Sequence, residues 1–241
     1  MDSTKLIKSL SSKNQILVPH IHRFLAEADL PAQWIIKIAN QKEKREYGEA
    51  DIRFSPSSDT LTPVEDLVSK YTDGKPYDPI SPNMRMTFDI GTMWHEYLQN
   101  IIKAMNFIPD EGVEKYFIKK IERPAGIAYT SGLGDLVGVN IPGHGSWLVD
   151  IKTMNKRSFD NPPTDLMQKY TAQINLYGDW FGYDKLMILA VSKDSPHDFK
   201  ELITPSNPYL VNEIYDRWVE AYGKIKEWQN GNCRSNNFTF N

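Results

Sequence analysis

The sequence predicts an α/β protein: a mixed central β-sheet flanked by helices, with a helical extension at the N-terminus. Three observations predict it. Gly132 to Lys152 holds two apolar runs around the turn-rich Asn140-Ile-Pro-Gly-His-Gly145. Val137 and Val139 lie in the first run, Trp147 and Val149 in the second, and all are good strand formers. Leu186 to Val191 is unbroken apolar sequence, as suits a strand buried on both faces. Helical periodicity surrounds these strands, and the order helices, strand, hairpin, helix, strand, helix makes a layered α/β arrangement.

The length of 241 residues allows one large domain or a domain with an appendage. The expected division is a helical extension over 1–50 and a single domain over 51–241. Hydrophobic content of 40% and charged content of 24% suit a globular protein with a real core. The net charge is −3, so contacts with nucleic acid must come from local patches. Cys233 is the one cysteine, which excludes disulfides, zinc fingers and a Cys-ligated iron–sulfur cluster within one chain. No secretory segment follows the first residues, and no apolar run reaches the roughly 20 residues of a membrane span. A reducing, cytoplasmic compartment without membrane contact is expected.

Within the extension, His20 and His22 are spaced as on an extended segment, where a local surface role outweighs a metal pair. Asp29-Leu-Pro starts a helix through Trp34 and Ile38, closed by Lys42, Lys44 and Arg45. Thr62-Pro-Val-Glu65 reads as a capping box with Pro at the first helical position. Asp73 to Pro79 reads as a loop. Ser81-Pro82 opens a helix expected to be interrupted or re-oriented near Gly91. Beyond Gly91, Met93, Trp94, Tyr97, Leu98, Ile101, Ile102 and Met105 form an apolar stripe, with His95 on its margin and Gln99 one turn on. Glu114 to Glu122 reads as a strand. Thr164 is expected to cap a helix to about Phe181, whose apolar face carries one amide, Gln173, that must find a partner if buried. Pro208 to Gln229 is a final helix packing Ile214, Trp218, Tyr222 and Ile225 inward, with a polar, loosely held tail after Gly231.

The hairpin carries chemistry. Asp135 stands at the head of its first run and Asp150 at the tail of its second, so two carboxylates converge at one end of a sheet. Lys152 follows Asp150 by two and shares its face. Two acids and an ammonium can hold a divalent cation and place a water against a phosphate. Taken alone, the hairpin fits a solvated turn with a surface ion pair better than a metal site. Asp73/Lys75 and Asp198/Lys200 repeat the spacing, but neither follows an apolar run with a partner acid beside it.

Four signals then fall in one order: Gly91-Thr-Met-Trp-His95-Glu-Tyr-Leu-Gln99, Gly134-Asp135, Asp150-Ile-Lys152 and Gln173-Ile-Asn-Leu-Tyr177. Together they resemble the RecB-type branch of the PD-(D/E)XK nuclease superfamily, which includes CRISPR-adaptation, helicase-fused and phage-type exonucleases. The resemblance covers roughly residues 80–195. It implies a restriction-endonuclease-like core and a metal-dependent DNA exonuclease of recombination, repair or degradation. Asp135, Asp150, the Ile151 carbonyl and His95 would hold Mg²⁺ or Mn²⁺, nitrogen ligation favouring Mn²⁺. Lys152 would orient the attacking water, Glu114 would serve a second ion or an outer water, Gln173 would fix Lys152 or the DNA end, and Tyr177 would pack on sugar or base. Lys115, Lys119, Lys156, Arg157 and Lys169 flank the site in sequence as candidates for backbone phosphates. The partner implied is DNA, single-stranded or with free ends, besides a recombination or replication protein. Several relatives hold an iron–sulfur cluster with four cysteines, which the single Cys233 does not allow; the resemblance implies a compact, stand-alone nuclease, and residues 1–50 have no counterpart in it. The competing readings are an endonuclease, a nucleic-acid-binding module on the same fold, and a purely structural α/β protein.

Overall fold

The computed structural model describes residues 15–27, 52–73, 82–195 and 198–235. Over these the elements run α1 (Val18–Glu27), α2 (Val64–Thr72), α3 (Pro82–Ala104), a 3₁₀ turn (Asp110–Gly112), β1 (Val113–Arg123), β2 (Gly126–Ile141), β3 (Gly145–Met154), α4 (Lys156–Asp160), α5 (Thr164–Phe181), β4 (Lys185–Ser192), β5 (Phe199–Pro205) and α6 (Pro208–Ser235). The protein is α/β, with five strands in the order β1-β2-β3-β4-β5. β2 and β3 form the expected antiparallel hairpin, with Leu136 opposite Val149 and Ile141 opposite Gly145. β3 and β4 are parallel, joined through α4 and α5, and β5 is antiparallel to β4, so the sheet is mixed. No helix among the described residues is long and apolar enough to cross a membrane.

By contacts the chain forms two compact units. The first takes in Met1–Arg45, Ile80–Tyr116 and Leu133–Ser206; the second takes in Glu46–Pro79, Phe117–Gly132 and Asn207–Asn241. The core of the first joins Leu98, Ile101 and Ile102 of α3, alternate residues of β2 to β4 such as Val139, Ile151 and Leu189, and Leu17, Val18 and Ile21 at the start of α1. β4 is buried from Leu186 to Ser192, as its unbroken apolar run requires. The second unit is organised around Trp218 of α6, which stacks on Phe54 with ring centroids 5.6 Å apart. Ile214 and Ile225 are buried with it, and Tyr222 nearly so.

Several local expectations are corrected. α3 runs unbroken through Gly91, because there the missing side chain lets the helix approach β3: a Cβ would lie 3.2 Å from Thr153 Oγ1. Met93 is exposed, so the buried stripe of α3 begins only after it. No capping box forms at α2; Pro63 is the N-cap, and the Thr62 hydroxyl donates to the Ser58 carbonyl instead. Pro163, not Thr164, precedes the first turn of α5. His20 and His22 sit on a helix, edge-on to Phe107 and Phe199 respectively. α6 continues past Gly231 to Ser235. The expected helix from Asp29 and most of the loop at 73–79 lie outside the described residues, as does most of the extension.

β5 was not expected. Its Lys200-Glu201 pair interrupts any apolar pattern, yet Glu201 is buried. The Glu201 carboxylate accepts the Leu17 N–H at 2.6 Å and those of Ile16 and Val18, satisfying donors left over at the start of α1. An acid that looks wrong for a strand is thus the anchor of a helix remote in sequence.

Candidate metal centre

The site is built on four elements of the first unit. α3 presents His95, the start of β1 presents Glu114, β2 presents Asp135, and β3 presents Asp150 and Lys152. One ligand atom each from His95, Glu114 and Asp135 lies within 4.8 Å of the others, the spacing of groups able to share a cation. His95 Nδ1 is 3.5 Å from Asp135 Oδ2, and the same oxygen accepts the Ile151 N–H at 2.7 Å. The hairpin register makes that bond: with Leu136 opposite Val149, the next positions bring Asp135 beside Asp150 and Ile151. Glu114 Oε1 accepts from the buried Gln99 amide at 2.8 Å.

Asp150 stands outside that three-residue group and beside it. It is 1% exposed, and Lys152 Nζ lies 2.7 Å from its Oδ2. Apart from that ion pair neither carboxylate oxygen has a hydrogen-bond partner among the described residues. A buried carboxylate with spare lone pairs is costly alone and suited to a cation. One imidazole nitrogen among carboxylate oxygens is a donor set for a hard or borderline divalent ion, so the residues fit such an ion.

Electrostatics follow from crowding four titratable groups into a largely dry place. Burial pushes Asp150 up to about 6; Lys152 opposes this, and Asp135 reinforces it. Burial works against charging Lys152, but Asp150 and Asp135 together outweigh it and raise the lysine. Burial also works against protonated His95, yet Asp135 raises it above its ordinary value. Asp135 is lowered: burial opposes its charge, and the His95 imidazolium, Lys152 and the Ile151 N–H prevail.

These shifts set a pH dependence. An acid raised in the folded state holds a proton that the unfolded chain has released, so folding stability falls as pH rises from about 4 through about 6. His95, raised, contributes stability below its unfolded value that is lost as pH climbs through its folded one. Asp135, lowered, contributes above about 4 and only fails in acid. The chelator-treated protein should therefore lose stability relative to Asp150→Asn as pH rises from about 4 through about 6, read by urea denaturation. Parallel curves for the two proteins would contradict this origin.

α5 closes the site from one side. Gln173 and Tyr177 are buried, and the Gln173 amide finds its partner one turn on, donating to the Tyr177 hydroxyl at 3.1 Å. Burial, then the nearby Asp150 charge, raises the Tyr177 hydroxyl far above its ordinary value, so it stays neutral. Two residues were not assigned a role from sequence. Tyr170 lies under Lys152, whose Nζ is 5.2 Å from the ring centroid, and Gln99 holds Glu114. Spacing puts each on the face of a candidate residue without revealing its contact: Tyr170 is three residues before Gln173, and Gln99 four after His95.

Each of the five flanking cations has its own surroundings. Lys115 Nζ lies 5.7 Å from the Phe181 ring centroid. Lys119 belongs to the second unit, where it donates to the Tyr215 hydroxyl at 3.2 Å. Lys156 pairs with Asp160 at 2.7 Å and Asp198 at 3.4 Å. Arg157 is exposed in α4 and Lys169 half-buried in α5.

No family model matches the chain, and no curated protein matches it. Among solved structures, a crystal structure of SSO0001 aligns over 74% of this chain and 79% of that chain, at 12% identity and a TM-score of 0.44. A likeness of that grade carries no argument about fold or activity.

Proposed function

We propose that this protein is a divalent-metal-dependent deoxyribonuclease of the PD-(D/E)XK type, with a restriction-endonuclease-like core, acting on DNA ends as an exonuclease. The observation that carries the proposal is the meeting of His95, Glu114 and Asp135 within 4.8 Å, beside the buried Asp150–Lys152 pair. His95, Asp135 and Asp150, with the Ile151 carbonyl and Glu114, would hold the ion. When bound, Mg²⁺ or Mn²⁺ would lower the pKa of water and neutralise charge on phosphate. Lys152 keeps its ammonium charged beside Asp150 and can both orient the attacking water and oppose the negative charge that grows on phosphorus-bound oxygen. Tyr170 limits where that ammonium can go, and the Gln173–Tyr177 pair fixes the wall behind it. Lys115, Lys119, Lys156, Arg157 and Lys169 would touch DNA phosphates without reading sequence.

The test is digestion of labelled linear and circular DNA, single- and double-stranded, with and without blocked ends, in Mg²⁺ or Mn²⁺. Release of nucleotides from free ends, abolished by chelator and by end blocking, is the expected result. Cutting of circular single strands would make the enzyme an endonuclease. Binding of DNA with no cleavage in either cation would overturn the nuclease and leave a binding module.

A further inference from the structure

Glu114 has backbone φ of 50°, the left-handed region that glutamate rarely adopts. Asn106, the other described non-glycine residue at positive φ, is of a type that tolerates the conformation; glutamate is not. Such a residue persists only where its surroundings hold it, and strain of this kind gathers at functional sites. Two features bear on Glu114 here. The 3₁₀ turn Asp110–Gly112 delivers the chain to it, with Gly112 so close to the Val137 carbonyl that a Cβ would lie 2.6 Å away. The Gln99 amide, 5% exposed, then donates to its carboxylate at 2.8 Å. The amide's carrier helix is the one that carries His95, one turn earlier. Glu114 is an exposed residue, yet its carboxylate lies within 4.8 Å of the ligand atoms of His95 and Asp135.

We infer that Gln99 is a positioning residue that latches a backbone-strained Glu114 into the cation group, making it a standing ligand of the centre rather than a bystander. The inference rests on the metal centre proposed above. The His95-to-Gln99 step along α3 then sets two metal-side contacts from one rigid element: an imidazole directly, and a carboxylate through an amide. Outer partners that orient ligands typically matter by 10–100-fold in metal affinity.

The test reads cation binding and metal-free stability rather than cleavage. Calorimetric titration with Mn²⁺ should show Gln99→Met and Glu114→Gln each weakening binding by about 10–100-fold. The double variant should be little worse than either single one, because the two residues act as a unit. Glu114→Gly should lose the same affinity while raising the melting temperature of the chelator-treated protein by about 2–4 °C, since glycine accepts the left-handed backbone freely. Wild-type affinity in Gln99→Met, or losses that add in the double variant, would overturn the latch and leave the metal centre standing. Absence of Mn²⁺ binding by the wild-type protein would overturn both. Should Gln99→Met fail to fold, Glu114→Gln and Glu114→Gly decide alone: unchanged affinity in both overturns the inference.

Discussion

Replacing Lys152 by methionine is expected to lower metal-dependent DNA cleavage by about 10²–10³-fold or more while the protein stays folded. The loss follows from what the ammonium faces. Lys152 is held at 2.7 Å from Asp150, over the Tyr170 ring. A methionine stem keeps most of the packed volume and removes only the charge and its donors. Breaking a buried ion pair usually costs several kcal/mol because the remaining charge is stranded. Here that cost has a ceiling. Asp150 already sits at about 6 with its partner present, so without Lys152 it can take up a proton, at about 1.4 kcal/mol for each unit its pKa lies below the solution pH. A protonated Asp150 is a poor cation ligand, so the variant should also bind Mn²⁺ more weakly at neutral pH. Asp150→Ala removes the other half of the pair and should lose cleavage as completely. Circular dichroism and a melting curve establish that each variant is folded, and labelled DNA gives the rate. Wild-type turnover by either variant would remove the nuclease assignment.

What was legible in the sequence and what was not divides along the distance between partners. The hairpin was legible because strand formers flank a turn within twenty residues, and its register then places Asp135 beside Asp150 with no further information. Gln173 was legible as an amide needing a partner, and the partner lay one helical turn away. Gly91 misled because the reason for it, Thr153, lies on a strand sixty residues on; seen locally a glycine in a helix reads as a break. β5 was hidden for the same cause, since Glu201 is explained by N–H groups at residues 16 to 18. At the site, His95, Asp135, Asp150 and Lys152 could be picked from motif order. The left-handed backbone of Glu114 and its hold by Gln99 could not, because neither dihedral strain nor a bond between a helix and a later strand leaves a periodic mark.

The second unit gives the largest expected change in stability. Trp218→Ala should cost about 3–5 kcal/mol, the range for deleting a large buried aromatic side chain, against a total of about 5–15 kcal/mol for a folded protein. Trp218 is fully buried, and its contacts are unusually connected. Its ring stacks on Phe54 and lies 6.4 Å from Tyr215, while its indole N–H donates to the Asp59 carbonyl at 2.9 Å. Asp59 in turn accepts the Ser55 N–H at 2.8 Å and pairs with Lys70 of α2 at 2.7 Å. Next to it, Arg217 donates to the Thr60 carbonyl at 2.6 Å. The segment around residues 54–60, α2 and α6 therefore share one tryptophan, and truncating it opens a cavity and orphans an acceptor together. Trp218→Phe separates the two losses: it keeps much of the stacking and drops the hydrogen bond, so its cost should fall nearer about 1–3 kcal/mol. Urea denaturation monitored by far-ultraviolet circular dichroism gives both values, since the other five tryptophans complicate fluorescence. A cost below about 1 kcal/mol for the alanine variant would mean that the unit is held elsewhere. A phenylalanine variant as unstable as the alanine one would place the energy in the indole N–H and not in the ring.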